Sequence, residues 1–211
     1  MQMIDRKFKV FNVQVHGIRE ALIRAGYPMA TVVNEDMTLD TRKIEDMLRL
    51  GGALGSSPYG HGDDKFLRQI HVAFDIFAPR YFWAEFDTYG VFVTKNSQST
   101  MHRGKALDYR RMADGLVDEK ILALFEGIVE DYTLNPTEEN LLRVKANLPE
   151  GICLVAGIST NYAQLKTMYY QREDHRLPQW RWFCEEFIKG LPYAKELGLM
   201  GRGAVKIDEK D

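Results

Sequence analysis

The 211-residue chain is predicted to fold as a single α+β domain covering residues 1–211. Stretches with the two-residue apolar period of strands and stretches with helical periodicity are mixed along the chain. They do not follow the regular strand–helix–strand repeat of a doubly wound sheet. Apolar residues make up 45% of the sequence and aromatic residues 11%, which is enough for a sizeable core.

The first part of the chain predicts, in order, a strand, two helices and a loop, over residues 8–15, 17–25, 40–50 and 55–64. The strand alternates apolar and polar side chains, and the first helix has a clear apolar face. The second helix is expected to begin at Asp40 or Thr41 and to stop at Gly51-Gly52. The loop contains three glycines and a proline, which do not hold regular structure.

The middle of the chain predicts two strands, over residues 70–77 and 89–94, because both are rich in aromatic and β-branched residues. A short helix is predicted between them, over residues 79–87. Glu85 and Asp87 lie there among aromatic residues. Such a carboxylate either has a raised pKa suited to acid–base work or faces solvent. We expect Asp87 to face solvent, and both interpretations stay open for Glu85.

The last part of the chain predicts helices over residues 118–132, 137–147, 161–172 and 178–189, and a strand over residues 152–158. Thr137 is expected to cap the second of these helices, and Pro149 follows its end. The apolar face of the first helix is predicted to comprise Ile121, Leu124, Phe125, Ile128 and Val129. The aromatic residues after Gln179 have helical spacing, which favours a core or subunit interface over base stacking.

Charge and composition exclude several classes of protein. A net charge of −2 argues against a nucleic-acid polymer as partner and against a polybasic membrane anchor. No stretch approaches the roughly 20 apolar residues that span a bilayer, and the N-terminus lacks a secretory signal. Cys153 and Cys184 lie in apolar runs and are expected to be reduced and buried. The histidines have no metal-ligand spacing. These features predict a soluble cytoplasmic protein.

Two polar segments are candidates for ligand binding. Asn161 and Arg172 are spaced to project from one face of a helix, which suits either an extended ligand or an ordinary amphipathic helix with a surface arginine. The segment 95–103 combines hydroxyls, amides, an imidazole and two cations. Such a composition suits phosphate or sugar recognition, and it is equally typical of a solvated hairpin or loop.

A longer pattern connects these candidates to a known family. It consists of Lys145 four residues before Pro149, Asn161 twelve residues after that proline, and then Leu165, Arg172, Gln179 and Trp180. This pattern resembles the C-terminal half of the flavin-dependent thymidylate synthases, with one extra residue between Arg172 and Gln179. The resemblance continues upstream through a similar strand over residues 67–76, and through Asn96 and Ser99 with their three-residue spacing.

The resemblance implies a mostly antiparallel sheet packed by long helices, and a homotetramer with active sites between subunits. It also implies FAD and NADPH as cofactors, dUMP as the substrate and methylenetetrahydrofolate as the one-carbon donor. Arg172 would contact and polarise the uracil, a role that suits a fixed cation. The implied nucleotide contacts are Lys145, Ser97, Gln98, Ser99 and Arg103. The implied cofactor contacts are Asn161, Asn96 and His175.

The chain departs from the family at flavin contacts. The family's Arg-His-Arg element is replaced by the segment 85–91, and Ala163 stands where an arginine is common. Lys145 keeps the charge of the usual arginine but not its bidentate fork. The alternative function is therefore a relative that binds a nucleotide without flavin chemistry, as a sensor, a sequestering protein or an assembly subunit. A structural oligomer without ligand is a third alternative.

Overall fold

The computed structural model describes residues 7–30, 44–57, 62–101 and 106–200. The strands in these ranges are β1 Lys9–His16, β2 His71–Pro79, β3 Thr94–Ser97 and β4 Cys153–Asn161. The α-helices are α1 Ile18–Ala25, α2 Ile44–Gly55, α3 Arg80–Phe86, α4 Tyr109–Met112, α5 Glu119–Leu134, α6 Glu138–Asn147, α7 Tyr162–Arg172 and α8 Pro178–Trp182. Short 3₁₀ helices cover Tyr27–Met29 and Asp63–Gln69, and a π-helix over Phe183–Ile188 continues α8.

The four described strands form one antiparallel sheet in the order β1-β2-β4-β3. In β2 the side chains at alternate positions, Val72, Phe74, Ile76 and Ala78, are buried, while those between them are less so. This alternation is the period-two pattern of a strand with one face on a core. The predicted α+β class and the antiparallel sheet are confirmed.

The chain forms two compact units. The first comprises residues 1–12, 74–90 and 94–158, and the second comprises residues 13–73, 91–93 and 159–211. The single domain expected over residues 1–211 stays a prediction.

The core of the first unit includes a cluster in which α4, α5 and α6 meet. Tyr109 and Phe125 pack edge to face with ring centroids 4.8 Å apart, and Leu122 and Val144 are buried beside them. The predicted apolar face of α5 is wrong in part, because Ile121 and Leu124 are 52% and 69% exposed. The helix buries Phe125, as predicted, and also Leu122, which the prediction omitted. The predicted Ile128 and Val129 pack partly buried against the same cluster.

The core of the second unit contains the aromatic run after Gln179. Trp180, Phe183 and Phe187 are buried, and the Trp180 and Phe183 rings pack edge to face at 5.6 Å. The interpretation of this run as packing is confirmed. Cys184 lies in the same core, where burial raises the pKa of its thiol to about 12. Cys184 and Cys153, in the first unit, are both free thiols, as expected.

Helix α2 does not stop at its glycines, so the prediction of a stop at Gly51-Gly52 is wrong. The helix continues to Gly55. A Cβ built on Gly51 would lie 2.5 Å from Leu22 Cδ2, and one on Gly52 would lie 2.5 Å from Glu196 O. These glycines therefore serve close packing. The expected N-cap, Asp40 or Thr41, lies outside the described residues.

The strand predicted over residues 89–94 is also wrong, since β3 covers only Thr94–Ser97. Residues 91 and 92 form a turn in which Phe92 has φ +56°, a left-handed conformation that a strand does not contain. The Phe92 ring lies 5.9 Å from the Arg68 guanidinium carbon, within the second unit. The β-propensity of this segment is overridden by contacts distant in sequence.

The side-chain cap expected at Thr137 is present, and Asn161 provides a second cap that the sequence analysis did not predict. The Thr137 hydroxyl accepts a hydrogen bond from Asn140 N at the start of α6, and Asn161 Oδ1 accepts one from Gln164 N at the start of α7. Such caps satisfy backbone N–H groups that have no partner within the helix. In the described part of the chain, no helix is both long and apolar enough to cross a membrane.

Candidate functional site

The predicted site residues fall into two groups, one in each unit. The first unit contains Asn96, Ser97, Gln98, Ser99 and Lys145, and the second contains Asn161, Arg172 and His175. Arg103, predicted to bind nucleotide, lies outside the described residues.

Lys145 lies in the last turn of α6 and is half-buried. The helix ends at Asn147 because Leu148, which precedes Pro149, adopts an extended conformation. The Lys145 ammonium donates a hydrogen bond to the Thr100 hydroxyl, a neutral partner. Burial lowers the pKa of Lys145, and the positive charge of Arg80 lowers it further. A bound anion would therefore stabilise the charged form of Lys145.

Arg80 is a neighbouring cation that sequence reasoning missed. It is the first residue of α3, directly after Pro79 ends β2. Its Nη1 donates to Leu148 O at 2.9 Å, and its Nη2 lies 3.2 Å from Glu150 Oε1. The arginine is thus tied to the turn that follows Lys145. A cation placed directly after a strand-ending proline was the sequence signal available for it.

The segment that follows β3 is fixed against β4 by Gln98. Its backbone N–H donates to Val155 O at 2.9 Å, and its side-chain Oε1 accepts a hydrogen bond from Val155 N at 2.8 Å. The Gln98 side-chain oxygen is therefore occupied by backbone. This pairing fixes the backbone at Gln98, directly before Ser99 and Thr100. Asn96 and Ser97 are exposed and Ser99 is half-buried.

A cavity of about 290 Å³ lies in the first unit. Its lining comprises Arg80, Trp83, Ala84, Asp87, Lys95, Ser97, Glu150 and Leu154. Lys95 pairs with Asp87, and its ammonium lies 5.1 Å from the centre of the Trp83 ring system. Asp87 is exposed, as expected. The cavity thus combines two cations, Arg80 and Lys95, each paired with a carboxylate, with a hydroxyl and an aromatic ring, a polar lining that an anionic ligand enters by displacing a carboxylate from its cation.

Arg172 and His175 lie against one buried indole in the second unit. The Arg172 guanidinium carbon is 5.1 Å from the centre of the Trp180 ring system, a cation–π distance. The His175 ring contacts the same indole edge to face at 6.3 Å, and its Nδ1 accepts a hydrogen bond from Leu177 N at 3.1 Å. Trp180 therefore supports Arg172, the predicted uracil contact, at the end of α7.

Asn161, the predicted flavin contact, is buried at the junction of β4 and α7. Its side-chain oxygen is used to cap α7, as described above. Ala163, two residues on, is half-buried and offers no polar group. Among the residues that the structure describes, no group of histidine, cysteine, aspartate and glutamate side chains is arranged to hold a metal ion.

Comparison with known proteins adds a decisive observation. No model of a known protein family matches the chain, and no curated protein matches it. Among solved structures, thymidylate synthase X (ThyX) from Helicobacter pylori with FAD and dUMP aligns with a TM-score of 0.65 at 14% identity, covering 90% of this chain and 95% of that one. The chain has a ThyX-like fold.

Two further structures agree with this result. A second structure of Helicobacter pylori ThyX, complexed with FAD and dUMP, aligns with a TM-score of 0.64 at 13% identity and covers 89% of this chain and 98% of the other. The UMP/dUMP methylase PolB from Streptomyces cacaoi, bound with 5-Br dUMP, aligns with a TM-score of 0.64 at 15% identity, covering 94% and 97%. The resemblance drawn from the motif between Lys145 and Trp180 is thus confirmed for the fold. The ThyX-like fold extends over about nine-tenths of the chain.

Proposed function

We propose that this protein binds a pyrimidine nucleoside monophosphate such as dUMP and transfers a one-carbon group to C5 of its base. The observation that carries the proposal is Lys145, a half-buried cation beside Thr100 and Arg80 in a chain with a ThyX-like fold. The similar structures contain dUMP or its 5-bromo analogue. Lys145 and Thr100 would bind the phosphate as charged and neutral donors. Ser97, Ser99 and Arg103 would contribute to the same nucleotide contacts, and the Gln98 backbone pairing would position the two serines.

Arg172 would bind the uracil. Its guanidinium is planar and permanently charged, and packing on the buried Trp180 ring reduces the freedom that it would lose on binding. A fixed cation next to the base stabilises the negative charge that develops on the ring as C5 becomes the nucleophile that attacks the one-carbon group. In this proposal Arg172 is the catalytic residue.

FAD, NADPH and methylenetetrahydrofolate belong to the same proposal. The residues assigned to FAD fit it in one respect: Asn161 lies at the N-terminus of the eleven-residue helix α7, whose partial positive charge favours anionic and carbonyl oxygens. Asn161, His175 and Asn96 would hold the flavin, which when bound supplies hydride to the reaction. NADPH would reduce it, and methylenetetrahydrofolate would donate the carbon. We further propose a cytoplasmic homotetramer.

A second candidate function is nucleotide binding without flavin chemistry. Two observations favour it. The Asn161 side-chain oxygen is used on the helix backbone, and Ala163 provides no donor near it. The cation that is assigned to phosphate, Lys145, is retained. A protein of this kind would sense or sequester the nucleotide, or act as a subunit of an assembly.

Two measurements test the proposal. Purified protein that shows flavin absorbance, or gains it on adding FAD, supports the enzyme. Colourless protein that takes up no FAD but binds dUMP supports the second candidate. Arg172→Ala is expected to weaken dUMP binding about 10- to 150-fold, the range for one hydrogen-bonded charged group.

Arg49→Ala is the matched control. Arg49 is an exposed arginine of the same unit, paired with Asp46 on α2, and its loss should leave dUMP affinity unchanged. If the affinity of Arg172→Ala equals that of the wild type, while both proteins show the same thermal unfolding, the assignment of Arg172 is wrong.

A further inference from the structure

Arg80 and Lys145 are like charges that the fold holds near each other. Arg80 Nη1 donates to Leu148 O at 2.9 Å, three residues beyond Lys145 at the end of α6, and the Lys145 ammonium has the neutral Thr100 hydroxyl as its hydrogen-bond partner. The charge of Arg80 accordingly helps to lower the pKa of Lys145. Two neighbouring cations repel unless an anion lies between them. A phosphate ester carries about −1.5 to −2 charges near pH 7 and several acceptor oxygens, so it can be shared by two cations.

The two ends of the Arg80 guanidinium have different surroundings. Nη1 donates to Leu148 O, a backbone group in the turn after α6, and this contact is structural. Nη2 pairs with Glu150, whose side chain is 59% exposed, whereas that of Arg80 is 31% exposed. Exposed ion pairs of this kind contribute at most about 1 kcal/mol, so a ligand can replace Glu150 at little cost.

Arg80 also lines the 290 Å³ cavity, together with Ser97, which is predicted to contact the nucleotide. Small-molecule pockets are usually about 300–1,000 Å³. The cavity is therefore sized for the phosphate and sugar of a mononucleotide rather than for an extended dinucleotide.

We propose that Arg80 is a second phosphate-binding cation: its Nη2 exchanges Glu150 for the 5′-phosphate that Lys145 also binds. Arg80 thereby sets the preference for a nucleoside monophosphate over the nucleoside. The proposal rests on the proposed function, because it specifies how the same pyrimidine nucleotide is recognised. The competing explanation is that Arg80 only stabilises the turn at Leu148.

The test is isothermal titration calorimetry of the full chain with dUMP and with deoxyuridine, which lacks the phosphate. Arg80→Gln is expected to weaken dUMP binding tenfold or more and to change deoxyuridine binding less than twofold. Glu150→Gln removes the competing carboxylate, and we expect it to tighten dUMP binding several-fold. Arg110→Gln is the matched control. Arg110 also pairs with surface glutamates, Glu119 and Glu126, and its loss should leave both affinities unchanged.

The outcomes separate the two levels of the proposal. Wild-type protein that prefers dUMP at least tenfold over deoxyuridine, with Arg80→Gln keeping that preference, overturns the role of Arg80 and leaves the proposed function standing. Equal loss of both ligands in Arg80→Gln also overturns it, in favour of a structural role. Wild-type protein that binds neither ligand overturns the proposed function and this inference with it. If Arg80→Gln does not fold, Glu150→Gln decides, because unchanged or weaker dUMP binding in that variant contradicts the exchange.

Discussion

The glycines of α2 allow the helix backbone to contact the chain near Leu197 within the second unit. A Cβ on Gly52 would lie 2.5 Å from Glu196 O, and one on Gly55 would lie 2.1 Å from Leu197 O. Carbon and carbonyl oxygen normally approach no closer than about 3.3 Å. An alanine at position 52 would therefore push the two backbones apart by about 0.8 Å, and one at position 55 would push them further.

Gly52→Ala is expected to destabilise the protein despite the higher helix propensity of alanine. Overpacking against backbone, which cannot rotate away, costs about 2–3 kcal/mol. The gain in helix propensity offsets about 1 kcal/mol of that cost. The net loss of unfolding free energy is then about 1–2 kcal/mol, and the melting temperature should fall by about 2–4 °C for each kcal/mol.

Gly127→Ala is the matched control, because Gly127 lies inside α5 and a Cβ there would meet no described atom within 4 Å. This substitution should stabilise the protein by about 0.5–1 kcal/mol, since only the propensity term acts. Both variants are compared with the wild type by urea unfolding followed by circular dichroism. If Gly52→Ala is as stabilising as Gly127→Ala, the close packing of α2 against residue 196 is refuted.

Two further predictions concern the lysines. Bound phosphate should raise the lowered pKa of Lys145, so dUMP binding should take up protons and weaken as pH rises toward the ordinary lysine pKa of about 10.4. Calorimetry in buffers of different ionisation enthalpy measures this uptake, and Lys145→Met should abolish it; equal uptake in both proteins would contradict the assignment. Lys166 is buried and bonded to Asp64 and to Gly55 O. Lys166→Met should therefore lower the unfolding free energy, measured by urea unfolding, by about 3 kcal/mol. Lys166→Met with Asp64→Asn should cost less than the sum of the single changes, and strict additivity would show that the pair does not interact.

Features that depend on nearby residues were predictable from the sequence. The cap at Thr137 follows from the hydrogen bond that its own side chain makes within the next three residues. Strand β2 follows from its aromatic and β-branched residues, and the end of α6 follows from Pro149. The ThyX-like fold was predictable because its motif is spread over a strand and three helices whose order the sequence preserves.

Features that depend on distant partners were not predictable. The buried face of α5 is set by α6 and α4, so a face drawn from apolar spacing alone included the exposed Ile121 and Leu124. Helix α2 passes through Gly52 because Glu196 packs against it, and a glycine pair alone is more typical of a helix end. Arg80 was missed for the same reason, since its partners at positions 148 and 150 are about seventy residues away in the chain.

The sequence by itself determined the α+β class and most of the helices and strands, because local periodicity and residue spacing carry that information. It offered Lys145, Asn161 and Arg172 as candidates through the resemblance to the flavin-dependent thymidylate synthases. Only the tertiary structure decided what those side chains contact. It placed Lys145 against Thr100 and near Arg80, used the oxygen of Asn161 as a helix cap, and seated Arg172 on Trp180. The physical reason is that charge, burial and hydrogen bonding at a site depend on neighbours in space, which a one-dimensional pattern does not specify.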